Sequence, residues 1–179
     1  DGCRAAVAVD LDPRGGLDTV LCIEHLDGLR WQDLEAPDWG AGRGAGVPAL
    51  RDLPGDEGVS VLASAAGELP GWPVVIEVVE AMAQEADLVA VDCGPRPHGS
   101  LLSRLDLLVV LARLTAKGAA DAAGATSVCP LARTRTVLVS RGSPGRGHGA
   151  ALARRLGMPF LAHLRDDADV ASQAGEGVP

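Results

Sequence analysis

Two apolar runs of the chain end in acid. Arg4-Ala-Ala-Val-Ala-Val-Asp10-Leu-Asp12 is followed by Pro13 and the pair Gly15-Gly16; Asp87-Leu-Val-Ala-Val-Asp92 is followed by Cys93, Gly94 and Pro95. A short Val/Ala/Leu run closed by Asp and then Gly or Pro reads as a buried parallel strand delivering a carboxylate to the C-terminal edge of a sheet. Ligands of open α/β sheets bind at that edge, so Asp10, Asp12 and Asp92 are expected to converge on one site. Carboxylates gathered without a counter-ion repel one another and resist ionising together. A Mg²⁺ shared by the three is a natural reason to collect them. Asp10 and Asp12 stand two apart, which puts both side chains on one face if the strand runs through both.

A second candidate is the loop Ser140-Arg-Gly-Ser-Pro-Gly-Arg-Gly147, which follows another strand pattern. It is Gly-rich and basic and sits at the same kind of edge. Ser140, Arg141 and Gly142 could touch a nucleotide base or phosphate, and a flexible strand-to-helix loop is the plainer alternative. Neither this loop nor Gly42-Arg-Gly-Ala-Gly46 fits the phosphate-cradling pattern GxxxxGK[ST], because no lysine follows. Cys3, Cys22, Cys93 and Cys129 are scattered, with no CxxC pair and no histidine at zinc spacing, so they read as reduced thiols. Cys93 with His98 as its base is a poor nucleophile candidate, since nearness in sequence says nothing of geometry.

The elements that would carry these residues are strands at Arg4–Asp10, Val59–Ser64, Asp87–Asp92, Asp106–Ala112, Thr136–Ser140 and Pro159–Leu164. Helical patterns alternate with them. Pro73–Ala86 repeats Val74, Val75, Val78, Val79 and Met82 at three-and-four spacing, with Pro73 in the first turn. Thr115–Val128 is Ala-rich, and Gly149–Leu156 is a short helix stopped by Gly157. Strands alternating with helices, without hairpin turns, predict an α/β fold: a mostly parallel sheet with helices on both faces. Residues from about 26 to 58 break this pattern. They carry Trp31, Trp39 and several glycines with little periodicity, as in an irregular lid or insertion that the tryptophans pin to the body.

The chain has 179 residues, 47% of them hydrophobic, enough for one α/β domain spanning 1–179. Aromatics are only 2%, so Val, Leu and Ala must fill the core. The net charge of -8 weighs against a broad nucleic-acid surface, although a local arginine patch is compatible with it. No apolar run approaches the roughly 20 residues of a membrane span, and no secretory signal precedes the first strand. Opening on Asp1-Gly2, directly ahead of a strand, suggests that the native N-terminus lies further upstream.

The order of these segments resembles the MinD/ParA family of deviant-Walker P-loop ATPases, and within it the CpaE-like branch that accompanies pilus and secretion genes and is often labelled septum site-determining. Val7 to Asp18 looks like that branch's strand and switch I segment. Gly28-Leu-Arg-Trp-Gln-Asp-Leu34 resembles its "GLRW-DL" stretch, Asp87–Pro95 its Walker B strand, and Val137–Gly147 its Gly/Pro-rich loop. Met158–Leu161 through Gly175–Pro179 is similar to its terminal strand and end. The resemblance implies a P-loop NTPase-like fold, a homodimer sandwiching ATP with Mg²⁺, and switching that positions a protein partner of a division, pilus or secretion system. It also implies a cytoplasmic location with recruitment to a membrane or pole. By that resemblance Asp12 orients the hydrolytic water or metal and Asp10 supports it. Asp92 is the Walker B acid, and Arg141, with Ser140 and Gly142, lies near the base.

The pattern departs from the family in two places. The family's first strand and P-loop would precede Asp1 and are absent from these residues, which implies an N-terminal truncation, a missing central strand and weak or absent ATP binding. Ser140 stands where the family usually carries Asn. Two other readings follow. One is a catalytically silent regulatory or scaffold protein of the same fold. The other is a haloacid-dehalogenase-like phosphatase, whose motif also opens strand-Asp-x-Asp. There Asp10 would be nucleophile, Asp12 general acid, Lys117 charge clamp and Asp166/Asp167 metal ligands; Arg14 occupies the position where that motif wants Thr or Val.

Overall fold

The computed structural model describes residues 5–12, 14–34, 48–56, 58–64, 69–94, 97–127, 136–143 and 145–167. Cys3, Cys129, Trp39, the glycine run 42–46, Asp169 and the terminal residues 175–179 lie outside that description. The described chain forms two compact units, one ending before Arg96 and one beginning there.

The first unit is built on β1 (Ala6–Asp10), β2 (Gly55–Asp56), β3 (Val59–Leu62) and β4 (Leu88–Asp92), with helices α1 (Leu17–Val20) and α2 (Trp72–Glu85). The sheet order is β2-β3-β1-β4. β1 runs parallel to both β3 and β4, and the two-residue β2 is an antiparallel edge. The alternation Ala-Val-Ala-Val explains why β1 is central. Val7 and Val9 are fully buried on one face, while Ala6 and Ala8 leave room for packing on the other. On that second face Ala8, Leu17 and Leu26 surround Ile23, Val61 and Ala63.

Helix α2 carries the chain from β3 across β1 to β4. Pro73 sits in its first turn, and Val75, Ile76, Val78, Val79 and Met82 are buried. The stripe is shifted slightly from its sequence expectation: Val74 is 37% exposed and Ile76 takes its place. Short 3₁₀ turns at Trp31–Leu34 and Leu50–Asp52 give structure to a stretch that periodicity alone reads as irregular.

The second unit holds α3 (Gly99–Leu102), β5 (Leu108–Arg113), α4 (Ala116–Ser127), β6 (Thr136–Arg141), α5 (Arg146–Leu156) and β7 (Phe160–Leu164). Its strands are all parallel, in the order β5-β6-β7. The helix–sheet core is made of small residues: Leu138 is fully buried among Ala112, Ala122 and Ala153. Close approach is also why Gly149 is glycine, since a Cβ there would lie 2.1 Å from the Ser140 hydroxyl oxygen. α5 begins three residues before its expected start and ends, as expected, at Gly157 in the left-handed conformation.

The parallel α/β fold expected from the sequence is thus present, and each of the expected strands forms. Gly28 is a local test of it. Its φ is +149°, and a Cβ would sit 2.4 Å from the Pro54 nitrogen, so the turn before Trp31 closes onto residue 54 only with glycine. Gly28→Ala is expected to destabilise the chain by about 1–3 kcal/mol, read as a lower urea midpoint at unchanged slope.

Candidate functional site

The pairing of β1 with β4 sets the site. Asp10 stands opposite Asp92 in the parallel register, and the Leu11 amide donates to the Asp92 carbonyl at 2.9 Å just beyond the strand end. The two strands therefore deliver acid to the same edge. β1 stops at Asp10, however, so Asp12 does not continue the strand's alternation. It opens a turn instead, its carbonyl accepting the Gly15 amide at 2.8 Å. The same-face expectation for Asp10 and Asp12 fails because the backbone leaves the strand between them.

The two carboxylates accordingly do different things. Asp10 is 2% exposed. Its Oδ1 accepts the Asp12 amide at 2.9 Å and its Oδ2 accepts the Leu17 amide at 3.2 Å, so it ties both ends of the loop 11–17 together. Burial pushes its pKa above the ordinary carboxylate value; the two backbone amides oppose that rise, and the nearby charges of Asp92 and Asp12 add to it.

Asp12 accepts the Arg14 amide at 3.0 Å and also the Arg14 guanidinium, whose Nε lies 3.0 Å from Oδ1. The guanidinium hydrogen bond chiefly holds the Asp12 carboxyl down at about 2. Gly94 completes the rim. Its left-handed φ of +59° turns the chain after β4, and a Cβ there would be 3.5 Å from the Asp12 carboxylate. Its amide donates to Asp92 Oδ1 at 2.9 Å. Residues 10, 12 and 92 thus share one rim, with Gly94 between the last two.

Among the described residues no group of three or more His, Cys, Asp or Glu side chains could hold a metal ion. Asp10 is moreover engaged by backbone amides and Asp12 by Arg14. The donor set therefore does not suit a carboxylate cage. It suits Mg²⁺ as that ion is usually bound, by one or two carboxylates together with substrate phosphates and water. Asp92, whose Oδ1 alone is engaged by the Gly94 amide, is the residue that could hold it, and Asp12 could join only by releasing Arg14.

Beside the rim the stretch Gly28–Leu34 is docked rather than loose. Trp31 is fully buried, its indole N–H donating to the Asp10 carbonyl at 2.8 Å and its amide to the Ala63 carbonyl at 3.1 Å. Arg30 reaches Asp18 Oδ2 at 3.5 Å and the carbonyls of Gly28 and Leu26. Gln32 donates to the Ser64 hydroxyl at 3.2 Å. Between this stretch and the loop before α1 lies a cleft of about 600 Å³, with Arg14, Asp18, Thr19, Gly28, Arg30 and Ser64 among its walls.

In the second unit the loop after β6 is placed differently from its sequence reading. Ser140 is fully buried, with its hydroxyl 3.0 Å from His163 Nδ1. Arg141 remains at the surface, its Nε donating to Asp166 Oδ1 at 2.9 Å. Gly142, at φ +88°, donates its amide to the Leu164 carbonyl at 3.1 Å. Arg113 and Arg141 stand in register at the C-terminal ends of β5 and β6. Arg141 and the Gly142 backbone are thus available at this strand end, whereas the Ser140 hydroxyl is not.

Trp31, Arg14 and Gly94 are the residues that sequence reasoning did not single out for the rim. The Asp12-x-Arg14 spacing was a usable signal for an ion pair across a proline turn. Nothing local signals that Trp31 reaches a carbonyl 21 positions away.

No protein-family model matches the chain. Two curated relatives do, both uncharacterized proteins of Mycobacterium tuberculosis: MT3760 of strain CDC 1551 / Oshkosh and Rv3660c of strain H37Rv. Each is 33% identical over 183 residues, covering 96% of this chain and 50% of the relative. The chain thus spans about half the length of these relatives. Among solved structures, the crystal structure of a ParA family ATPase from Chlorobium tepidum TLS is similar, with a TM-score of 0.71 at 12% identity, over 97% of this chain and 76% of that one. The chain has a ParA-type, P-loop NTPase-like fold. No described helix is long and apolar enough to cross a membrane.

The ion pair at the rim has a definite pH signature. Because Asp12 is held below its ordinary value of 3.8, its contribution to stability is present above that value and is lost as pH falls from about 4 towards 2. Asp10, raised by burial, contributes with the opposite sign, and its share is lost as pH rises through its folded value. Arg14→Ala is expected to return the Asp12 carboxyl towards 3.8 and leave Asp10 raised, as read by carboxyl ¹³C NMR titration.

Proposed function

We propose that the chain is part of a MinD/ParA-type nucleotide-responsive regulator of the CpaE-like branch, acting in septum siting or in pilus or secretion assembly. The observation that carries this proposal is the Asp10–Asp92 register, which brings a switch-like loop and a Walker B-like strand end to one rim of a ParA-type fold. In this proposal Asp92 and Asp12 face Mg²⁺ and the phosphates. Asp10 fixes the loop that carries Asp12; in the second unit, taken by itself, Arg141 with the Gly142 backbone is the candidate contact for a nucleotide base. Mg²⁺ would neutralise phosphate charge, and ATP would supply the phosphoryl group to be cleaved. Homodimerisation, a partner in a division or pilus system, a cytoplasmic site of action and recruitment to a membrane or pole belong to the same proposal.

ATP binding by these 179 residues is expected to be weak, because no segment supplies the GxxxxGK[ST] cradle that neutralises most of the triphosphate charge. A specific observation favours the second reading, a catalytically silent scaffold of this fold. Asp10 and Asp12 are satisfied by groups of the chain itself, with Arg14 already seated on Asp12. The phosphatase reading fares worse. A nucleophilic Asp10 needs an exposed oxygen, and both of its oxygens accept backbone amides in a buried position.

Amide shift mapping with Mg·ATP separates the first two. Millimolar Mg·ATP is expected to shift the amides of Asp12 and Gly94, with Mg²⁺ dependence lost in Asp92→Asn. Silence of both amides at that concentration would leave the scaffold reading in its place. Micromolar affinity would contradict the expectation of a weakened site.

A further inference from the structure

We infer that Trp31 is a positioning residue, whose indole N–H holds the last carbonyl of β1 and so fixes the loop that carries Asp12. The inference extends the reading of the acid rim given above, but its test needs no nucleotide.

Asp10 is held at both of its ends. Its carboxylate accepts the amides of Asp12 and Leu17, which closes the loop 11–17. Its carbonyl accepts the Trp31 indole N–H at 2.8 Å, in a wholly buried position. A rotation of the peptide after Asp10 would displace Leu11 and, one peptide further on, the Asp12 amide that the Asp10 carboxylate accepts. The indole contact opposes this rotation from the carbonyl side, as the Leu11 amide on the Asp92 carbonyl does from the nitrogen side. A buried indole without an acceptor is costly, so the bond holds the Asp10 carbonyl as firmly as it holds the ring.

Trp31 also grips the neighbouring strand, through its amide on the Ala63 carbonyl just past β3. One residue therefore spans the C-terminal ends of β1 and β3. Its own stretch is fixed from outside the rim: Arg30 binds Asp18 near the start of α1, Gln32 binds Ser64, and Gly28 packs against Pro54. Arg30 and Gly28 line the 600 Å³ cleft. Movement of the 28–34 stretch would thus draw on the Asp10 carbonyl through the indole. Trp31 is the mechanical link between the cleft and the acid rim.

A purely structural role predicts something else: the ring fills space, and its loss loosens everything equally. The test replaces Trp31 by 3-benzothienylalanine, which keeps the bicyclic shape and removes the N–H, alongside Trp31→Phe. Amide hydrogen exchange is followed at Asp12 and Leu17, with Trp31's own amide and that of Ala86, at the end of α2, as references. The positioning role predicts about tenfold faster exchange at Asp12 and Leu17 with both references unchanged. Equal acceleration at all four, or none at Asp12 and Leu17, overturns it. Should the benzothienyl variant fail to fold, Trp31→Phe, which also lacks the N–H, carries the same comparison of Asp12 and Leu17 against the two references. In the unsubstituted chain an indole proton exchanging at solvent rates, without scalar coupling to the Asp10 carbonyl carbon, overturns the inference as well.

Discussion

The parallel, in-register pairing of β1 with β4 is the constraint from which the rest of the first unit follows. It ends two apolar strands at the same level, with Asp10 opposite Asp92, and so concentrates negative charge at one edge. The charge of Asp92 adds to the rise of the Asp10 carboxyl, behind the larger effect of burial. Charge gathered this way has to be met by donors. The chain meets it locally, through backbone amides on Asp10, Arg14 on Asp12 and the Gly94 amide on Asp92. The opposite shifts of Asp10 and Asp12 follow from that division of labour: burial dominates at one carboxylate and a guanidinium at the other.

The Gly28–Leu34 stretch is the other half of the arrangement. A buried tryptophan must place both a large apolar surface and one polar N–H, and here the two demands are met at the ends of β1 and β3. The stretch is consequently part of the rim's architecture rather than a cover over it. Arg30 and Asp18 extend this tie to α1, so the cleft beside the rim is walled by elements that also set the rim's shape.

Much of this was legible in the sequence, and the reason differs from element to element. The strands announce themselves as short Val/Ala/Leu runs, although of these β1 and β6 are mostly buried whereas β4, β5 and β7 leave apolar residues such as Leu88, Leu111 and Leu161 exposed; α2 announces itself by its apolar stripe. The single-turn helices α1 and α3 and the two-residue β2 are too short to carry any period. Asp10, Asp12 and Asp92 were recognisable as a group because strand ends of parallel sheets lie at one edge. The placement of Asp12 by a turn, its pairing with Arg14 and the inward position of Ser140 depend on tertiary contacts that no local pattern reports. Trp31 is the clearest case: it sits in a stretch without periodicity, and its partners are residues 10 and 63.

The ParA-type fold and the half-length match to uncharacterized mycobacterial proteins are consistent with a chain whose scaffold is clearer than its chemistry. What any chemistry at this rim requires is that β1 and β4 meet as described. The through-hydrogen-bond scalar coupling between the Leu11 nitrogen and the Asp92 carbonyl carbon measures that meeting directly. A resolved coupling with a protected Leu11 amide is the expected result; a Leu11 amide exchanging freely and showing no coupling to Asp92 would contradict it.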